Sequence, residues 1–353
     1  MKRLRWLSLL VLLAGFAIAP AAAQATLAFA RHPSNSVVWA AADDGSAAHR
    51  LVEGSNPHVS PDGQTVALLH QGKGAKAKPE LVLVPADGSA PAATLASGWR
   101  EPSIFAWSPD SKSVAAVLGP EVGAKRLVLI DTISGAQRTV AKGYFNGVSF
   151  DPQGGSIVYG RAASERFPPR SDVYRFDVPA PGTVFVKAPS PARLTSDHRS
   201  LAPLWGPREE IVFVKQLGGG KRRYGPKNEL FTMSPAGGMV RQLTHTRVSQ
   251  LAQGLYPTAT SANGVRLLAQ FEGQDLTYAV TVNAETGSQR PLVKATEQGA
   301  IGAAVSPDGK FVIAATGGFE PGPAHDVVRI PWGGGRQKIL ARNAFEPSVG
   351  GGW

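Results

Sequence analysis

Ser60-Pro61-Asp62-Gly63 returns along the chain as Ser108-Pro109-Asp110-Ser111 and Ser306-Pro307-Asp308-Gly309. Weaker copies are Asp151-Pro152-Gln153-Gly154, Gly206-Pro207-Arg208-Glu209 and Ser261-Ala262-Asn263-Gly264. Successive copies lie 43 to 55 residues apart, and self-similarity at that period marks a repeat architecture. Pro sets φ near −65° for a first central turn position, Asp tolerates the next, and Gly accepts positive φ. The phrase therefore predicts a hairpin connection, of the three-residue type with Gly at the left-handed position. A catalytic role for Asp62, Asp110 and Asp308 is the competing reading. Recurrence in every unit argues against it, because one active site does not need a set of equivalent aspartates.

Apolar runs flank each copy. Ile104-Phe105-Ala106-Trp107 and Pro203-Leu204-Trp205 precede their turns; residues 65–69, 113–117, 156–159, 211–214, 265–269 and 311–315 follow theirs. They are short, rich in β-branched or aromatic residues and bounded by turn residues, so they read as strands. A second phrase alternates with the first. Leu81-Val82-Leu83-Val84 leads through Ala86-Asp87-Gly88-Ser89 to Ala93-Thr94-Leu95, and Leu127-Val128-Leu129-Ile130 leads through Ser134-Gly135 to Thr139-Val140. One unit is thus four antiparallel strands, a to d, with the Pro-Asp-Gly turn between a and b. No convincing long stripe of 3.6-residue period appears. The fold class is all-β, a β-propeller. Six complete units are joined by a partial one at the start (26–29, 36–39, 49–52) that lacks strand a. The segment 344–349 supplies it from the far end, which gives seven blades with six or eight as alternatives. Closure of this kind also removes an open sheet edge.

Residues 1–25 stand apart. Lys2, Arg3 and Arg5 precede a short apolar core from Trp6 to Ile18, and Ala21-Ala22-Ala23 or Ala23-Gln24-Ala25 offers small-residue cleavage. That is the build of a secretory signal peptide, with an uncleaved anchor as the alternative. The expected domains are a signal peptide, 1–25, and one propeller, 26–353, in the periplasm or secreted. The chain has no cysteine, which excludes disulfides, cysteine nucleophiles and thiolate metal sites. Its 40 Gly and 28 Pro together stay below the roughly 25–30% of disordered chains, and 43% hydrophobic residues suffice for a core.

The phrase Pro-x-x-Ser-Pro-Asp-Gly-x-x-Val-Ala, joined to Leu-Val-Leu-Val-x-x-Asp-Gly-Ser, resembles the WD40-like (PD40) repeat of the TolB propeller family. The best copies are 56–69, 104–117 and 303–315, and the resemblance covers nearly all of the chain after residue 25. It implies a signal peptide, an extracytoplasmic place in the cell envelope and strand closure between the chain ends. The same repeat occurs in propellers of exported peptidases and polysaccharide lyases. TolB itself has six blades and a preceding α/β domain, whereas seven units are counted here and the strands begin soon after the cleavage point.

The formal net charge is +11, or +8 without the three basic residues of the signal peptide, and favours anionic partners. Export disfavours nucleic acid and points to a protein or an anionic envelope component. The a–b and c–d turns, on one face, carry Asp43, Asp44, Asp62, Asp87, Asp110, Asp131, Asp151 and Asp308. The b–c loops on the other face carry Lys73, Lys76 and Lys78, then Arg161, Arg166 and Arg170, then Lys215, Lys221, Arg222, Arg223 and Lys227. Arg100, Lys142, Arg199 and Arg247 fall in d–a loops of the same face. Glu272, Asp275, Glu320 and Asp326 interrupt the later loops, so the basic region is expected to cover an arc. The arc is either a binding surface or a solvated rim.

Gly-x-Ser-x-Gly and His-Glu-x-x-His are both absent, so no catalytic residue is assigned. Gly218-Gly219-Gly220-Lys221 joins two expected strands and leads into no helix, so it reads as a loop and not a phosphate cradle. None of the seven histidines has metal-ligand spacing, and neither metal nor cofactor is called for. Sites built across blades escape such spacing rules, however. His58, His198 and His245 fall in or near d–a connections, where they would face a channel mouth. A binding scaffold, expected to be monomeric, is the first reading; a lyase or other enzyme acting on acidic sugars is the alternative.

Overall fold

A computed structural model of the chain describes residues 25–31, 36–71, 78–97, 105–120, 123–179, 190–218, 225–261, 266–273, 276–292, 299–306, 309–317 and 325–351. Apart from one 3-10 turn at Pro207–Glu209, every regular element there is a strand. The first set pairs in the order Ala344–Gly350, Thr26–Arg31, Val37–Ala42, His49–Glu53, so the last strand of the chain lies antiparallel to the first. The second set is Ser55–Val59, Thr65–Gln71, Pro79–Pro85 and Ala93–Ala96. The third begins with Phe105–Trp107, Ser113–Leu118 and Lys125–Asp131.

The third and fourth sets share one 14-residue strand, Gln137–Phe150. Its first half pairs with Lys125–Asp131 and its second with Ser156–Ala162, which continues to Ser171–Asp177 and Ala192–Arg193. Lys142, expected in a d–a loop, therefore lies inside a strand: the backbone runs straight from one set to the next without a connection. The fifth set is Ser200–Trp205, Ile211–Leu217, Lys227–Met233 and Arg241–Gln242. A single parallel bridge, Asn228 to Gly254, ties it to the sixth, Ala252–Thr260, Arg266–Gly273, Thr277–Asn283 and Gln289–Pro291. Ile301–Val305, Phe311–Ala315, Asp326–Pro331 and Lys338–Arg342 form the last set.

The core lies between sets. Among the described residues each buried cluster joins two consecutive sets. Phe105, Val114 and Ile130 of the third set meet Ala67, Leu69 and Leu81 of the second. Trp205, Ile211 and Phe213 of the fifth meet Val158 and Val173 of the fourth. Ile313, Val327 and Leu340 of the last set meet Leu27, Phe29 and Ala41 of the first. The strands thus bury both faces, which explains their near-continuous apolar runs in place of strict alternation.

The turn phrase is a four-residue hairpin and not the three-residue type expected. Ser60 N–H donates to Thr65 O, Gly63 N–H donates to Ser60 O, and Gly63 has φ 75°. Ser60, to which the sequence reading gave no part, widens the loop. Its hydroxyl accepts from Thr65 N–H and donates to Asp62, whose carboxylate also accepts from Gln64 N–H. Ser108 repeats this, with its hydroxyl 2.6 Å from Asp110 and Ser111 taking positive φ without glycine. Asp151 replaces the serine by accepting directly from Gln153 and Gly155 N–H. Asp62, Asp110 and Asp151 are consumed by turn geometry, and Asp308 lies outside the described residues.

The innermost strands need a further device, because one edge of each lacks a backbone partner. Ser149 Oγ accepts from Trp205 N–H at 3.0 Å, and Ser348 Oγ accepts from Val59 N–H at 2.9 Å. Ser149 stands two residues before its turn, at Asp151. Asn146 and Glu346 do the same for Ala202 and Asn56 N–H, where both acceptor-facing residues take positive φ at a strand bulge.

Candidate functional site

The described part of the basic face concentrates at the junction of the fourth and fifth sets. A cleft of about 480 Å³ opens there. One wall is Pro168, Pro169 and Arg170 from the fourth b–c connection; the other is Gly218, Gly225 and Pro226 from the fifth. Asp197, His198 and Arg199 of the intervening d–a connection close its end. These three segments fall together because antiparallel strands return every b–c and d–a connection to one face. A second cleft, about 290 Å³, shares Pro169 and runs along Arg166, Phe167 and Asn146.

Asp172 organises the first cleft. Its carboxylate is 4% exposed and accepts from Arg193 Nη2 at 2.6 Å, His198 N–H at 2.9 Å and Thr195 Oγ1 at 3.3 Å. His198 Nδ1 lies 2.9 Å from the same carboxylate, while the imidazole is 48% exposed. The backbone of His198 is left-handed, φ 56°, which aims the ring back at Asp172. Asp197 is satisfied separately. Burial works against its charge, but the Lys215 ammonium at 2.9 Å, Arg199 N–H and Ser200 Oγ outweigh that and hold its pKa below the usual range. Arg170 and Arg199 are exposed and have no acid partner among the described residues.

The other anticipated cations divide. Lys78 and Arg166 are exposed. Arg161 packs its guanidinium over Tyr174, 4.7 Å from the ring centroid, so it belongs to the wall between the third and fourth sets. Lys227 is neutralised by the buried Glu229, which also binds Thr244 and Thr246. Lys73, Lys76, Arg100, Lys221, Arg222 and Arg223 lie outside the described residues. On the opposite face Asp44, Asp87 and Asp131 are held below the ordinary carboxylate range by donors of their own turns, chiefly Ser46, Ser89 and Ser134.

The histidines do not converge. His58 packs on Phe105 with ring centroids 4.0 Å apart and the planes tilted by 47°, and burial lowers its pKa to about 4. His245 is exposed, and His198 is engaged with Asp172. Among the described residues no three His, Asp or Glu side chains come together as a metal site. Glu272, expected in a loop, lies in the strand Arg266–Gly273 of the sixth set, near the partly buried Tyr256. Tyr256 OH donates to Gln253 Oε1, and burial pushes Glu272 up to about 7.

Set against solved structures, this arrangement has many counterparts. TolB from Acinetobacter baumannii is similar with a TM-score of 0.55 at 14% identity, over 92% of this chain and 82% of that one. The fold is a β-propeller. The propeller domain of the Trilobed protease from Pyrococcus furiosus matches at TM-score 0.63 and 12% identity, over 92% and 96% of the two chains. An oligogalacturonate lyase in complex with manganese matches at 0.59 and 15%, over 91% and 86%. No protein-family profile matches the sequence, and neither does any curated protein sequence. Such likenesses establish the propeller and leave its purpose to the residues. Among the described residues no helix is long and apolar enough to cross a membrane.

Proposed function

We propose that this chain is an exported, TolB-like propeller of seven four-stranded blades that acts as a binding scaffold in the cell envelope. The pairing of Ala344–Gly350 with Thr26–Arg31, and the apolar cluster joining the last set to the first, support a ring closed by the chain ends. The leader in residues 1–25 supports export. The observation that carries the functional reading is the cleft face, where exposed Arg166, Arg170 and Arg199 cluster without acid partners among the described residues. An anionic protein or envelope component fits that surface. The mature monomer is expected to be retained on immobilised heparin and eluted as salt rises past 0.15 M, where the screening length falls below about 8 Å. Charge reversal of Arg166 and Arg170 is expected to weaken retention. Retention unchanged by salt or by these variants overturns the reading. N-terminal sequencing of exported protein tests the leader, with a new end just after residue 23 or 25 expected.

The second reading, an enzyme acting on acidic sugars, is favoured by one observation. His198 is braced by a buried carboxylate beside arginines, a geometry fit for proton transfer next to a neutralised uronate. Incubation with oligogalacturonate tests it by the ultraviolet absorbance of an unsaturated uronate. Absence of that signal across pH 5 to 9, with and without manganese, removes the enzyme.

A further inference from the structure

Six large apolar side chains stand exposed among the described residues, and two of them share the basic face. Phe167, 67% exposed, lies in the fourth b–c connection between Arg166 and Arg170. Leu251, 41% exposed, lies in the connection from the fifth set to the sixth, which also carries exposed Arg247. Ile133, Met239 and Val240 belong to c–d turns of the opposite face, and Ile339 to an outer strand. Two separate connections of one face thus pair an apolar tip with arginine. Arg166, Arg170 and Arg247 have no acid partner among the described residues.

The Phe167 connection is built to stand out. Residues 163–168 are all exposed. Burying a Phe ring is among the larger apolar gains open to a chain, and here the fold leaves it unused. Pro168 and Pro169 fix φ at two successive positions, which limits the entropy lost when the tip is engaged. The acids nearby do not cancel the arginines. Asp197 is paired with Lys215, Asp172 with Arg193, and Glu165 shares its cleft with Lys125 and Arg166.

Shape and charge decide what covers these tips. A peptide seated in either cleft meets Phe167 and leaves Leu251, beyond the fifth set, in water. A bilayer meets both at once. Its anionic headgroups take the guanidiniums, and the apolar tips enter the boundary beneath them.

We propose that the basic face docks reversibly on an anionic phospholipid bilayer, with Phe167 and Leu251 entering the interface and Arg166, Arg170, Arg199 and Arg247 at the lipid phosphates. The proposal rests on the basic face being a binding surface and names its partner. Two small insertions and a few cations give a marginal, salt-sensitive hold and no permanent anchor.

Co-sedimentation of the mature protein with vesicles tests it, using phosphatidylcholine alone or with roughly one-third phosphatidylglycerol. Binding to the mixed vesicles is expected to be at least about tenfold stronger, and to weaken as salt rises past 0.15 M. Arg166→Gln and Arg170→Gln are each expected to lower it about fivefold. Phe167→Ser is expected to lower it about tenfold and to leave retention on heparin unchanged, because heparin has no apolar interior. Equal binding to both kinds of vesicle overturns the docking. So does vesicle binding that is unchanged in Phe167→Ser, or a loss in that variant matched on heparin. Retention on heparin without vesicle binding overturns the bilayer alone, and elution by polyglutamate then assigns the face to an acidic protein. Failure on both heparin and vesicles overturns the docking together with the binding face it rests on.

Discussion

The junctions between the first and second sets and between the fourth and fifth share an inner edge and differ in their rims. At the first, Ser348 and Glu346 accept the N–H groups of Val59 and Asn56; at the second, Ser149 and Asn146 serve Trp205 and Ala202. The equivalence reaches the positive φ of Asn56 and Ala202. Outside this edge the first junction borders the seam, the set that pairs the first and last described strands, and the second is a cleft edged with arginines and an Asp–His pair. The repeat thus dictates the groups that close the backbone, and leaves rim residues free to carry chemistry.

The comparison breaks most severely at the seam. Deleting residues 344–353 removes the innermost strand of the first set, with buried Ala344 and the cluster around Leu27 and Phe29. The loss is expected to exceed about 4 kcal/mol, the range reached only when a core is opened. A truncated chain that melts with the full one disproves closure. Next come the two serines. Ser149→Ala strands a buried N–H and is expected to cost about 1–3 kcal/mol; Ser348→Ala, where the bond is only half-buried, is expected to cost less. Equal losses in urea denaturation erase that distinction between the junctions.

The turns and the strand order were legible because a phrase of four residues encodes a local hydrogen-bond pattern, and each copy repeats it. The serine of the phrase escaped because its hydroxyl acts across five residues and bonds backbone, which no composition rule flags. The long strand through Lys142 escaped because Gly143 falls between the expected strands 139–140 and 147–150, whereas the positive φ of Gly143 and Gly147 bends the strand without ending it. The Asp172–His198 pair was beyond reach in a different way. The two residues lie 26 positions apart on separate elements, and only the return of two connections to one face brings them together. His198 was at least suspected, from its place before a strand a; Asp172 gave no signal.

A smaller effect separates the two regions by pH. His58, near the seam, has its pKa lowered to about 4, so the unfolded chain binds more protons than the folded one between about 4 and 6.5. Its contribution is present above pH 6.5 and is lost as pH falls through 4. Glu272, in the sixth set, has its pKa raised to about 7 from 4.5, so its contribution is present below 4.5 and lost as pH rises through 7. His58→Phe is expected to flatten the acid limb of a stability–pH curve. Glu272→Gln is expected to flatten the other limb, by of order 1–3 kcal/mol for this partly buried side chain. Smallest of all, Arg170→Gln is expected to change stability by less than about 0.5 kcal/mol, since its rim position has no partner to lose among the described residues. A larger shift in melting would make Arg170 part of the frame.

The pairing of the first and last strands also sets how the molecule answers to force. Thr26 faces Gly350 and Leu27 faces Val349, so the two tethering points lie side by side at the same end of the ladder. Tension applied between them loads one pair of hydrogen bonds at a time, peeling the strands apart like a zip and never shearing the whole ladder at once. A protein anchored by one terminus keeps its full strength; one pulled by both yields first at its own clasp.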